Sequence, residues 1–255
     1  MTGRIYHKLL ETYSSNQKSL AVLVDPDVFD TETKLSVFID SLGECPIDYF
    51  FIGGSLLKNP DIGFVIEFLK RHSKIPLVIF PGSGLHVNTT ADAVFFLSLI
   101  SGRNAELLIG QHVSVATSLK NSGIEIIPTG YILIDGGCAT SVSYLSFTSP
   151  IPRDKPEIVS ATAIAGELLG MKLIYLEAGS GAIHPVPEKV IQQVRSSINL
   201  PLIAGGGINT IEKAINALQA GADVIVIGNR TEQDPGFVKD VASILKKYNG
   251  SLNIH

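Results

Sequence analysis

Glu177 ends an apolar run in the stretch Tyr-Leu-Glu-Ala-Gly-Ser-Gly at 175–181. A carboxylate at a strand end is costly to bury unless it is paired or used. The glycine and serine turn behind it can offer backbone N–H groups to a phosphate. Together they ask for chemistry in which a hydroxyl loses its proton beside a seated phosphate, which is general-base work. Tyr175 has the parity of Glu177 along the strand, so both point to one face. Its ring can face an electron-poor centre and its hydroxyl can bond a phosphate or diol, with core filling the even alternative.

Two later runs also close in glycine, AGGGI at 204–208 and IGN at 227–229. Any one of the three alone reads as a tight turn. Three on consecutive strands read as one shared anion seat, because glycine lets the backbone approach and a following helix N-terminus favours negative charge. Earlier in the chain, one run ends in Asp25-Pro26-Asp27 and the next in Gly53-Gly54-Ser55. Asp25 and the Ser55 hydroxyl form a hard oxygen pair suited to Mg²⁺, which keeps most of its positions for water and phosphate. The competing reading is that Asp25, and more so Asp27, caps the following helix. His112, Arg153, Lys155, His184 and Arg230 are further cations able to meet an anion, and Ser83 a further hydroxyl, each a weaker signal.

These residues need strands to carry them. Apolar runs at 20–24, 49–52, 77–80, 93–97, 125–127, 173–176, 201–204 and 223–227 alternate with helical patterns at 33–42, 62–72, 105–122, 158–169, 187–197, 211–220 and 235–247. The 82–92 segment is too polar and short for a clear helix. Eight βα units close most simply as a single-domain (β/α)₈ TIM barrel over 1–255, with phosphate-binding loops after the sixth, seventh and eighth strands. An open doubly wound sheet is the alternative, disfavoured because no G-x-G-x-x-G follows the first strand. The 136–156 stretch is long for a βα loop and reads as a lid.

Bulk properties exclude several function classes. With 255 residues, 45% hydrophobic, the chain can bury a large core. A formal charge of -4 without a Lys/Arg block argues against nucleic acid as a partner. Cys45 and Cys138 belong to no C-x-x-C pair, which fits a reducing, cytoplasmic setting without a disulfide or zinc framework. No apolar run is long enough to span a bilayer, so contact with a lipid is expected only as transient docking at a membrane surface or inside a groove. Phe29, Phe80, Leu85 and Phe96 near strand ends favour an apolar trough. A homo-oligomer, a dimer or an assembly of dimers, is expected, with Phe64, Phe68, Phe95 and Leu99 as interface or core residues.

VLVDPD, DYFFIGGS, LVIFPGS, ADAVFFLSLISGRN, PTGYILIDGG, the SPIP segment, YLEAGSG, PLIAGGGI and ADVIVIGN occur in this order along the chain. In this the sequence resembles the geranylgeranylglyceryl phosphate synthase family, which includes the heptaprenylglyceryl phosphate synthases. The resemblance implies a prenyltransferase with Mg²⁺ at Asp25 and Ser55. It implies sn-glycerol 1-phosphate held by Tyr175, Leu176, Glu177, Ala178, Gly179, Ser180 and Gly181, by Gly206 and Gly207, and by Gly228 and Asn229. It further implies a prenyl diphosphate, geranylgeranyl first, whose tail crosses the barrel mouth. Leu23 stands where one branch of the family has Lys, which points to the geranylgeranyl-using branch that shares the IDGG insertion. Two other readings compete: another phosphate-binding barrel enzyme, such as an isomerase or a thiamine phosphate synthase-like transferase, and a non-catalytic prenyl-lipid-binding barrel.

Overall fold

A computed structural model describes residues 3–54, 57–58, 62–83, 86–228 and 234–252. Within them eight parallel strands close in sequence order: β1 Ser19–Val24, β2 Tyr49–Ile52, β3 Leu77–Ile79, β4 Ala93–Leu99, β5 Glu125–Leu133, β6 Leu173–Glu177, β7 Leu202–Gly205 and β8 Val224–Ile227. β1 pairs with both β2 and β8, so the sheet has no edge. The (β/α)₈ architecture is therefore the one the apolar runs imply, and the open sheet is ruled out.

Alternation along each strand divides the core in two. Val22, Phe50, Ile79, Val94, Ile132, Ile174 and Leu176 face outward into the layer under the helices. Ala21, Phe51, Val78, Phe95, Tyr131, Tyr175, Ile203 and Val226 fill the barrel interior. A strand buried on both faces reads as an unbroken apolar run, which is why the strands are visible in the sequence. The outer layer is built by α2 Glu32–Leu42, α3 Gly63–His72, α4 Gln111–Ser122, α6 Pro156–Leu168, α7 Glu188–Arg195, α8 Ile211–Gln219 and α9 Pro235–Leu252. Thr31 and Thr210 start α2 and α8 by accepting hydrogen bonds from Lys34 and Lys213 N–H, each 3.3 Å.

Two helices are not apparent in the sequence, α1 Arg4–Ser14 and the short α5 Ser141–Leu145. α1 lies under the barrel, with Ile5 and Leu9 joined to the interior cluster. Burying each side chain stabilises the fold by roughly 1.5–3 kcal/mol. The Glu125 carboxylate, at the start of β5, accepts the N–H groups of Ile5 (2.8 Å) and Tyr6 (2.7 Å) and caps the helix from a distance. Lys8 reaches Asp48 at 3.1 Å on the same face.

The outer ring is irregular on one side. Among the described residues no helix joins β3 to β4. After β4 the chain enters a π-helix, Glu106–Gly110, that runs into α4. β5 continues to Leu133, well past the Ile127 at which the sequence pattern breaks. Phe68, Phe95 and Leu99 are core residues rather than an interface, at 3%, 0% and 5% exposure, whereas Phe64 is exposed.

Candidate active site

The carboxyl ends of the strands hold two cavities. The first is a cleft of about 360 Å³ over β6, β7, β8 and β1, lined by Asp25, Tyr175, Glu177, Ser180, Gly181, Gly206, Gly207 and Gly228. Inward positions at the ends of β7 and β8 belong to Gly205 and Gly228; Gly228 lines the cleft, and the missing side chain of Gly205 makes room for Tyr175 and Glu177. A β-carbon on Gly205 would sit 2.7 Å from the Tyr175 hydroxyl and 2.8 Å from Glu177 Oε2. Gly206 and Gly207 have φ of 78° and 69°, a left-handed turn that other residues adopt with strain.

Glu177 is 7% exposed and has no cation beside it among the described residues. Its Oε1 accepts the Gly179 N–H at 2.7 Å, and the Tyr175 hydroxyl hydrogen-bonds to it as well. Burial pushes the carboxyl up, these two donors pull it back, and the balance leaves a pKa of about 7. A carboxylate that titrates near neutrality can both take and give up a proton. Tyr175 and Tyr131 are buried in the same interior, and burial with the Glu177 charge raises both phenols well above their ordinary range.

Asp25 lines the cleft on the far side from Glu177. Its Oδ1 accepts the Asp27 N–H at 2.9 Å, and its Oδ2 faces Gly54. Burial raises its pKa, and the Asp27 N–H only partly offsets this. Among the described residues Asp25 thus keeps one oxygen free of protein donors and has no ion-pair partner, which fits a divalent cation shared with a diphosphate. Asp27 is occupied otherwise: both its oxygens accept the Lys58 N–H, at 3.1 and 2.9 Å, which clasps the β1 and β2 loops together. Among the described residues no group of three His, Cys, Asp or Glu side chains could hold a metal by itself. Ser55, Asn229, Arg230 and Leu85 lie outside the described residues.

The second cavity is an apolar groove of about 180 Å³. It runs from the barrel mouth down the outer face of β4, past Val94 and Phe96, under Leu107, His112, Val115 and Leu119 of the π-helix and α4. It occupies the sector where β3 and β4 have no helix between them. Gly54, Phe80, Tyr131 and Val142 line both cavities, so the two adjoin at the barrel mouth. Val142 belongs to α5 within the 136–156 stretch, so that segment does lie over the mouth.

The structure places several of the expected residues away from the cleft wall. Leu176 is fully buried against the helices, because its parity is opposite to that of its neighbours Tyr175 and Glu177. Ala178 also packs outward, and its N–H is given to the Gly205 carbonyl at 3.1 Å. The Gly179 N–H is given to Glu177 Oε1. Phe29 packs on Phe38 in the outer layer, with ring centroids 4.5 Å apart, while Phe80 and Phe96 do reach the groove. His112 lies in the groove, its Nε2 3.3 Å from Ser98 Oγ, and not beside an anion. Arg153, Lys155 and His184 do not line the cleft, and Ser83 lines the groove instead. Tyr131, Val142, Ile208 and Asn209 line the cleft without having been singled out. Tyr131 had a signal, since it pairs with Tyr175 once β5 is carried through Gly130.

A closed parallel barrel with its cleft and its titrating carboxylate at the C-terminal strand ends belongs to the enzyme-type (β/α)₈ barrels. More narrowly, the chain belongs to the PcrB family, whose model matches residues 14–247. It is 48% identical over 238 residues to a geranylgeranylglyceryl phosphate synthase of Spirosoma linguale, covering 93% of this chain and 95% of that one. A protein of the same name from Thermococcus gammatolerans is 40% identical, with 91% of each chain covered. The crystal structure of (S)-3-O-geranylgeranylglyceryl phosphate synthase from Thermoplasma acidophilum, in complex with its substrate sn-glycerol-1-phosphate, superposes with a TM-score of 0.89. That protein is 31% identical, with 97% of this chain and 99% of the other covered.

Proposed function

We infer that this protein is a prenyltransferase of the geranylgeranylglyceryl phosphate synthase type. It joins the 3-hydroxyl of sn-glycerol 1-phosphate to C1 of geranylgeranyl diphosphate, or a related prenyl diphosphate, through an ether bond and releases diphosphate. The observation that carries this reading is the meeting of a glycine-lined cleft and an apolar groove at Gly54, Phe80, Tyr131 and Val142, with Glu177 on the cleft side. A phosphate barrel for a small polar substrate has no use for the groove. A passive lipid carrier has no use for a carboxylate held near pKa 7.

The residues divide the work. The glycines at the ends of β7 and β8 give the glycerol phosphate room, and its charge is met by backbone N–H groups, since no Lys, Arg or His is among the described residues lining the cleft. Glu177, in its carboxylate form, takes the proton of the 3-hydroxyl, and the Tyr175 hydroxyl and Gly179 N–H fix the carboxylate plane. Asp25, with Ser55, would hold Mg²⁺, which supplies charge neutralisation for a departing diphosphate. Phe80 and the groove exclude water from C1 and take the apolar tail. No helix of the described residues is long and apolar enough to cross a membrane. Cytoplasmic location, a homo-oligomeric state and transient docking at a membrane surface complete the reading.

The test is product formation followed by mass spectrometry, with geranylgeranyl diphosphate, Mg²⁺ and either sn-glycerol 1-phosphate or its 3-phosphate enantiomer. An ether product from the 1-phosphate alone is expected. No product from either enantiomer, with shorter and longer prenyl diphosphates inert too, would overturn the reading.

A further inference from the structure

α2 and α8 begin in the same way. In each, a threonine N-cap (Thr31, Thr210) accepts the N–H of a lysine in the first turn, and that lysine turns its ammonium back to the residue before the cap. At α2 this residue is Asp30, and Lys34 Nζ meets its Oδ1 at 2.7 Å as an ion pair. At α8 it is Asn209, and Lys213 Nζ meets its Oδ1 at 2.8 Å. The local geometry is repeated, with a neutral amide in place of the acid.

The two helix starts differ in what they face. Asn209 lines the cleft beside Gly206 and Gly207, whereas Asp30 and Lys34 do not. An ammonium has no acceptor, so Asn209 turns its carbonyl oxygen to Lys213 and is left with the Nδ2 hydrogens. Among the described residues no protein acceptor takes them. Lys213 forms no ion pair among the described residues either; its second contact is the Ile183 carbonyl, at 3.5 Å, on the loop after β6. Its charge is left unbalanced by the protein, and it ties together two of the loops that border the cleft.

We propose that Asn209 is a phosphate ligand in the glycerol phosphate seat, donating through Nδ2, and that Lys213 is its positioning residue, fixing the amide plane and supplying positive charge from one side chain back. The inference rests on the prenyltransferase reading. A phosphate monoester carries about two negative charges at neutral pH. No Lys, Arg or His lines the cleft among the described residues, so dipoles alone meet that charge at the wall. A lysine on the wall would stand near Glu177 and hold its carboxyl ionised, which the reaction cannot use once the proton must be accepted and released again. Kept behind an amide, the cation favours the phosphate and stays out of the reaction space. An acid at position 209 would complete the ion pair as Asp30 does, but would turn a carboxylate oxygen toward the phosphate.

The experiment is steady-state kinetics with geranylgeranyl diphosphate, Mg²⁺ and varied sn-glycerol 1-phosphate, with inorganic phosphate as a competing anion. It compares wild type with Asn209→Asp, Asn209→Ala, Lys213→Met, Lys213→Arg and the Asn209→Ala/Lys213→Met pair. Asn209→Asp rebuilds at α8 the ion pair of α2, so a merely structural clasp would give a stable protein with unaltered kinetics. Expected instead is a KM for glycerol phosphate raised about tenfold, with inhibition by phosphate weakened in parallel. Meanwhile kcat, KM for the prenyl diphosphate and stability in urea hold. Asn209→Ala and Lys213→Met each raise the same KM, their pair costs less than the sum because the two act as a unit, and Lys213→Arg restores most of the affinity. An unchanged KM in Asn209→Asp and Asn209→Ala, or a rise without weaker phosphate inhibition, overturns the assignment and leaves the prenyltransferase reading standing. A wild type that neither binds sn-glycerol 1-phosphate nor turns it over overturns both.

Discussion

The barrel buries a carboxylate near each end, and the two are treated in opposite ways. Asp223, at the N-terminal end of β8, is 2% exposed and sits among charge: Lys18 at 3.7 Å, Arg195 at 3.0 Å and the Leu202 N–H at 2.8 Å. Glu177, at the C-terminal end of β6, is 7% exposed and has only an N–H and a phenol. Burial leaves both carboxyls raised; at Asp223 the Leu202 N–H and the charges of Lys18 and Arg195 partly offset it, whereas at Glu177 only the Gly179 N–H and the Tyr175 phenol do so among the described residues. A carboxylate whose charge is balanced holds structure; one left unbalanced is free to trade a proton. The contrast separates a stability end from a chemistry end in one sheet, as expected of this architecture.

Removing each carboxylate in turn is the strongest way to break the comparison. Glu177→Gln is expected to lower kcat by about 10²–10⁴ with glycerol phosphate binding retained, measured by steady-state kinetics and calorimetric titration. Turnover within a few-fold of wild type would remove Glu177 from the reaction. Asp223→Asn strands two cations and should destabilise the fold by about 3–5 kcal/mol in urea unfolding, with kcat of the folded enzyme unchanged. A silent Asp223→Asn would mean that the N-terminal end is no more specialised than the other.

Acidity sharpens the contrast further. Glu177 has its folded-state pKa near 7, above the ordinary 4.5, so the native protein keeps a proton that the unfolded chain has already released in between. Its contribution favours the fold most below pH 4.5 and is lost as pH rises through 7. Glu177→Gln should therefore match wild type near pH 4.5 and exceed it by about 3 kcal/mol at pH 8. The acid limb of the kcat/KM profile should have an apparent pKa near 7 and vanish in this variant. The smallest effect is expected from Glu125→Ala, which uncaps α1, costs about 1 kcal/mol in unfolding and leaves kcat alone.

The strands were legible because each is apolar on both faces, and the three glycine ends were legible because consecutive strands repeat them. Glu177 and Asp25 stood out as acids closing such runs. Less accessible was anything decided by distant packing. β5 seemed to stop at Ile127 because Pro128 and Gly130 resemble a turn. In the fold the Pro128 carbonyl accepts the Lys172 N–H at 2.8 Å, and Gly130 is small because a β-carbon there would meet the methyl groups of Ile174 and Ile100 at 2.8 and 2.9 Å. Reading past these residues would have exposed Tyr131. α1 was hidden by its polar face, and its cap comes from Glu125, 120 residues away from Ile5. Leu176 and Ala178 were expected in the glycerol phosphate seat from the family resemblance, and what the resemblance did not convey is that strand parity turns their side chains outward.

α1, stoppering the barrel with Ile5 and Leu9, has a consequence for traffic. The interior below the cleft is filled by side chains and floored by α1, so the site is a cup open only at the carboxyl ends of the strands. Everything that enters or departs passes the same rim, under α5 and beside Phe80. Chain, headgroup and leaving group therefore queue at a single doorway, and the molecule acquires a front and a back. The back can face water at all times while the front turns toward whatever delivers the oily cargo.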